Sequence, residues 1–105
     1  MDQFRVEITH TDDTSVVKLE GELDLASRAS LEASFARALD SDHVTVDLAQ
    51  VSFIDSTGIG VLIRAHRAAT ERGSSMTFLA GPPNVMRTLR LAGVTEQLGI
   101  ADASD

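Results

Sequence analysis

The chain has 105 residues, of which 43% are hydrophobic and 24% are charged, a composition typical of a single soluble globular domain. Its net charge of −7 disfavours nucleic acid as a partner, and the absence of cysteine excludes disulfides, cysteine metal sites and thiol catalysis. There is no apolar run long enough for a transmembrane helix and no signal-peptide pattern at the start. We therefore expect a cytoplasmic protein with no cofactor and no membrane contact, folded as one domain over 1–105 with its core at about 4–100.

Two strands joined by a turn open the chain. Residues 4–8 alternate apolar and polar side chains, and residues 16–20 form a second strand after the turn-like segment Thr11–Thr14. Because the connection is so short, the two strands must pair antiparallel.

Helical and strand patterns then alternate. The first helix carries an apolar face and could be capped by Ser27 or Ser30; that face consists of Leu31, Phe35, Ala38 and Leu39. A strand rich in β-branched residues follows at 44–48. The next helix runs from about Ser56 to Arg72, with Gly73 as its stop signal. Its apolar face consists of Ile59, Leu62, Ile63, His66 and Ala69.

The last third of the chain repeats this alternation. A strand is predicted at 76–80, and Pro82 and Pro83 suit the first turn of a third helix that Gly93 ends. The weakly apolar segment 98–101 is predicted to add a final strand.

The resulting order is β-β-α-β-α-β-α-β. Strands separated by helices run parallel through crossovers, so the hairpin makes the sheet mixed. Three helices for one small sheet favour an α/β domain in which the helices pack mainly on one face.

The segment Val51–Gly60 contains the candidate functional residues, because it passes from a strand directly into a helix. A helix start has unpaired N–H groups and a partial positive charge, and either Asp55 or Ser56 could cap them. Gly58 and Gly60 each cost a helix about 1 kcal/mol relative to alanine. We interpret them as positions that another chain or a ligand approaches closely.

Three segments resemble the STAS-domain family, specifically its bacterial anti-sigma factor antagonists. Phe53–Leu62 resembles the family signature, Gly21–Asp24 resembles a second marker, and Val85–Val94 resembles the pattern of the third helix. The resemblance extends from about Phe4 to Ile100 and implies a STAS-like fold.

The resemblance implies a partner-switching cycle that acts through Ser56. In this family, the serine after the aspartate is phosphorylated by an anti-sigma factor that is itself a serine kinase. The unmodified form binds this kinase and releases the sigma factor. Phosphorylation ends the binding, and a metal-dependent serine phosphatase restores it. The residues expected to contact the partner are Glu22, Asp24, Asp55, Ser56, Thr57, Gly58, Ile59 and Gly60. Thr57 offers a second hydroxyl beside Ser56, so the phosphorylation site is not unique by chemistry.

The sequence also offers candidates for other functions. Glu22 and Asp24 would share a face as i and i+2 on a strand, and they could be acid–base carboxylates, docking contacts or plain solvated groups. A hydrolase pair of Ser56 and His66 is excluded, because ten helical residues separate them by about 15 Å. We expect a non-enzymatic monomer or weak dimer. The alternative is a non-catalytic STAS scaffold or regulatory subunit of a larger signalling or transport complex.

Overall fold

The computed structural model describes residues 4–38 and 40–100. This part of the chain forms four strands, β1 (Arg5–Thr11), β2 (Thr14–Leu23), β3 (His43–Ile54) and β4 (Ser75–Leu79). It also forms four helices, α1 (Arg28–Ala38), α2 (Ser56–Glu71), α3 (Pro83–Leu91) and α4 (Thr95–Leu98). The α/β class is confirmed.

The four strands lie side by side in the order in which they occur along the chain. β1 and β2 pair antiparallel through a tight turn in which Asp12 has a positive φ of 54°. β2, β3 and β4 are parallel to one another, so the predicted mixed sheet is confirmed. Because neighbouring parallel strands are joined by right-handed crossovers, α1 and α2 must cover the same face of the sheet.

Burial along the strands agrees with helices on one face. Alternate side chains of the three parallel strands are buried against the helices: Val17, Leu19 and Leu23 in β2, Val44, Val46 and Leu48 in β3, and Met76 and Phe78 in β4. The helices contribute Leu31, Phe35, Leu62, Val85 and Leu89 to the same core. Side chains between the core positions of β2, such as Lys18 and Glu20, face solvent.

The end of the domain differs from the sequence prediction. Leu98 and Ile100 are buried, but they belong to the short helix α4 and the turn after it, so the strand predicted at 98–101 is wrong there. Gly99 has a φ of 70° and reverses the backbone, which returns Ile100 to the core. A turn of helix followed by a left-handed glycine thus buries the apolar residues whose presence led to the strand prediction. Ala101 and Leu39, also assigned from sequence, lie outside the described residues.

Two further boundaries were refined by the structure. β3 is more than twice as long as the predicted strand, because it continues through an irregular segment as far as Ile54. Ser27 directly precedes α1, but its hydroxyl accepts the Asp24 N–H and donates to the Glu22 carbonyl, whereas Ser30 lies inside the helix.

In residues 4–38 and 40–100, no helix has the length and apolar character needed to cross a membrane.

Candidate functional site

The candidate site forms where β2 and β3 end side by side. Leu23 and Ile54 are partners in the parallel register, and the Asp55 N–H donates to the Leu23 carbonyl at 3.2 Å. This pairing brings the turn after β2 next to the loop that enters α2. The carboxyl edge of parallel strands is where α/β domains commonly form binding sites.

Asp55 is the residue that caps α2. Its backbone is extended, and one carboxylate oxygen accepts the N–H groups of Thr57 at 2.9 Å and Gly58 at 3.1 Å. Of the two alternatives open from sequence, the structure therefore selects Asp55. The carboxylate also opposes the partial positive charge of the helix start.

Ser56 is left as the first residue of α2 with an exposed side chain. Its hydroxyl makes no hydrogen bond within the described part of the chain, because the capping role belongs to its neighbour. Thr57 is only partly exposed. The two adjacent hydroxyls therefore differ in their access to solvent, and Ser56 is the more accessible one.

Gly58 is required by packing inside this domain. It is buried, and a Cβ added to it would lie 2.4 Å from the Leu23 carbonyl oxygen and 2.9 Å from the Leu23 Cβ. The interpretation that another chain or a ligand approaches this glycine is wrong, because the close neighbour is the end of β2. Ile59, also among the expected contact residues, belongs to the hydrophobic core.

Gly60 has different surroundings from Gly58. It is half-buried, and a Cβ there would meet only the side chain of Arg64, whose Nη1 would be 3.2 Å away. The guanidinium of Arg64 therefore lies over the Cα of Gly60. An approach by another molecule at this position remains a prediction.

The two carboxylates upstream do not share a strand face. β2 ends at Leu23, so Asp24 belongs to the turn, where its carboxylate accepts the Ser27 N–H at 3.2 Å. Glu22 is opposite Phe53 in the register of β2 and β3. The prediction that Glu22 and Asp24 lie on one face of a strand is therefore wrong, which removes the geometric basis for an acid–base pair.

Two exposed apolar side chains near the site were missed by the sequence analysis. Leu25, in the turn after β2, is 70% exposed, and Phe53, two residues before the capping aspartate, is 45% exposed. Leu25 follows no periodic pattern, so no signal identified it. Phe53 stood within the signature segment, but only the structure shows that its side chain is exposed rather than part of the core.

Two curated relatives of the chain are named as antagonists of anti-sigma factors. The anti-sigma F factor antagonist of Paenibacillus polymyxa is 26% identical over 102 residues, which cover 94% of this chain and 87% of that protein. The anti-sigma-B factor antagonist of Staphylococcus epidermidis is 29% identical over 100 residues, which cover 93% of this chain and 92% of that protein.

The fold is shared with SpoIIAA of Bacillus, an anti-sigma factor antagonist solved in unphosphorylated and phosphorylated forms. Both superimpose with a TM-score of 0.69, at 23% and 22% identity, over 96% of this chain and 90% and 93% of those chains. Residues 6–100 match the family described as "Mlab, STAS domain". Since this match spans nearly all of the sequence, the chain belongs to the STAS-domain family.

Proposed function

We propose that the protein is an anti-sigma factor antagonist whose binding to its anti-sigma factor is controlled by phosphorylation of Ser56. The observation that carries the proposal is the exposed hydroxyl of Ser56 at the first position of α2, beside an aspartate that performs the capping instead. The names of the two relatives supply the class of partner.

Phosphorylation of Ser56 is compatible with the fold. The γ-phosphoryl group of ATP moves to the Ser56 Oγ, the hydroxyl proton passes to a base of the kinase, and ADP leaves. The exposed side chain makes no hydrogen bond to residues 4–38 or 40–100 that this reaction would break. The switch therefore acts on the surface of the domain and requires no refolding.

The added charge explains why the partner is released. A phosphoserine carries about −1.5 to −2 charges at neutral pH. It would stand next to Asp55 and near the turn that holds Asp24, on a surface that also exposes Leu25 and Phe53. A partner that covers these apolar side chains must desolvate the phosphate, and burying an unpaired charge costs several kcal/mol.

The cycle needs two further proteins. We propose that the anti-sigma factor is also the serine kinase, and that a metal-dependent serine phosphatase reverses the modification. The chain itself is non-catalytic in this scheme, and it acts as a monomer or weak dimer in the cytoplasm. It controls transcription by holding the anti-sigma factor away from the sigma factor.

The test is a binding titration with the anti-sigma factor kinase of the same genome. Ser56→Ala should bind with the affinity of the unmodified protein, whereas Ser56→Asp should bind about a hundredfold more weakly. Ser75→Asp is the matched control, because it adds the same charge at the first residue of β4, the opposite end of the parallel strands.

Mass mapping after incubation with kinase and ATP identifies the modified residue. Thr57→Val should still be phosphorylated, and Ser56→Ala should not. Equal affinity of Ser56→Ala and Ser56→Asp for the kinase would reject the proposal. A large particle assembled from many copies of the chain would instead favour the scaffold alternative.

A further inference from the structure

The surface of α2 that begins at Ser56 continues along one side of the helix. Ser56, Gly60 and Arg64 follow one another at intervals of four residues, so they lie on successive turns of the same side of the helix. Gly60 has no side chain, and the guanidinium of Arg64 occupies the space over it. Arg64 thus reaches back along the helix in the direction of Ser56, as long helical side chains do.

We propose that Arg64 forms an intramolecular ion pair with the phosphate on Ser56. This inference rests on the proposed function only in taking Ser56 as the modified residue. In the unmodified protein, Arg64 Nη2 is 3.5 Å from the Glu32 carboxylate, and both side chains are about half exposed. On phosphorylation, the guanidinium moves from this carboxylate to the phosphate.

The distances are suitable for the contact. Cβ positions four residues apart on a helix are about 5–6 Å from each other. The guanidinium is 3.2 Å from the Cβ position of Gly60, and the phosphate oxygens would lie two bonds beyond the Ser56 Oγ. Side-chain rotations therefore suffice to join the two groups, with no movement of the helix. Any side chain at position 60 would stand between them.

Competing partners favour this exchange. The helix-start N–H groups of Thr57 and Gly58 already bind the Asp55 carboxylate, so they are not available to a phosphate on Ser56. Glu32 also pairs with Arg28, whose Nε is 3.3 Å away, so it keeps one cation when Arg64 leaves. A phosphate dianion attracts a guanidinium more strongly than a carboxylate does, and Arg can bind it through two parallel hydrogen bonds. Phosphorylation then changes the surface twice, by adding an anion and by withdrawing a cation.

The experiment installs phosphoserine at position 56 during translation, so that neither kinase nor partner is needed. The second pKa of the phosphate, normally about 6, is measured by ³¹P NMR titration. A neighbouring cation favours the dianion and lowers this pKa. Arg64→Gln should therefore raise it by about half a unit, the size expected of an exposed ion pair. Glu32→Gln should lower it, because Arg64 loses its competing carboxylate.

Arg67→Gln is the matched control. This substitution removes the same charge from the same helix. Position 67 is about 16 Å of helical rise from Ser56, whereas position 64 is about 12 Å from it. Arg67→Gln should leave the pKa unchanged. Equal shifts in the two arginine variants, or no shift in Arg64→Gln, would overturn the inference. Neither result depends on whether a kinase modifies Ser56, so this test and the binding test can fail separately.

Discussion

The two ends of the parallel strands use serine in opposite ways. Ser15, at the end where β2 and β3 begin, is fully buried, and its hydroxyl bonds His10 Nδ1 at 2.7 Å and the hydroxyl of Ser41. Ser56, at the end where these strands finish, is exposed and makes no such bond among the described residues. The same residue type is therefore structural at one end and available to another molecule at the other.

The difference follows from how each end satisfies its polar backbone and side-chain groups. At the starting end, the Ser15 hydroxyl bonds the His10 ring and the Ser41 hydroxyl. The Ser74 hydroxyl donates to the Ser41 carbonyl at the same end. At the finishing end, the Asp55 carboxylate binds two N–H groups of the helix start and leaves the next hydroxyl unused. Because Asp55 accepts these two N–H groups, the Ser56 hydroxyl is not needed for capping and stays exposed.

The largest expected effect concerns the close packing of α2 against β2 at the finishing end of the strands. Gly58→Ala places a Cβ 2.4 Å from the Leu23 carbonyl oxygen, and this overpacking should lower the free energy of unfolding by about 3 kcal/mol. Gly60→Ala is the control, because it meets only the mobile end of Arg64 and should gain up to about 1 kcal/mol of helix propensity. Urea denaturation measures both. Equal stabilities would show that β2 and α2 do not approach each other this closely.

A medium effect compares the two serines directly. Ser15→Ala should cost about 2 kcal/mol of unfolding free energy, because it leaves the buried Ser41 hydroxyl without this partner. Ser56→Ala should change stability little, since it removes an exposed hydroxyl that bonds no residue in the described part of the chain. Thermal or urea unfolding of both variants gives the comparison. A loss at Ser56 equal to that at Ser15 would contradict the proposed division of roles.

The smallest effect concerns the cap that leaves Ser56 unused. Asp55→Ala should lower the free energy of unfolding by about 1 kcal/mol, because the N–H groups of Thr57 and Gly58 lose their acceptor. Asp55→Asn should retain most of the stability, since its amide oxygen can accept the same bonds. Urea midpoints for the pair measure the difference. If both variants lose the same amount, the charge rather than the hydrogen bonds provides the stabilisation.

Local patterns predicted most of the elements but not their lengths or their last member. The turn at 11–14 and the helix that begins at Ser56 follow from turn chemistry, periodicity and a glycine stop. β3 extends to Ile54 because its pairing with β2 continues past an irregularity, and the pattern of a single strand cannot reveal a partner. Leu98 and Ile100 show the converse, since a short apolar segment that predicted a strand belongs instead to α4 and the left-handed turn at Gly99.

By itself, the sequence determined the order of the elements from β1 to α3, the mixed sheet and the position of the segment that carries Ser56. Periodicity and turn residues encode these features within short windows of the chain. The tertiary structure alone decided that Asp55 caps the helix, that Gly58 makes room for β2, and that Arg64 lies over Gly60. Each of these depends on an atomic position in three dimensions, which residue spacing along the chain does not specify.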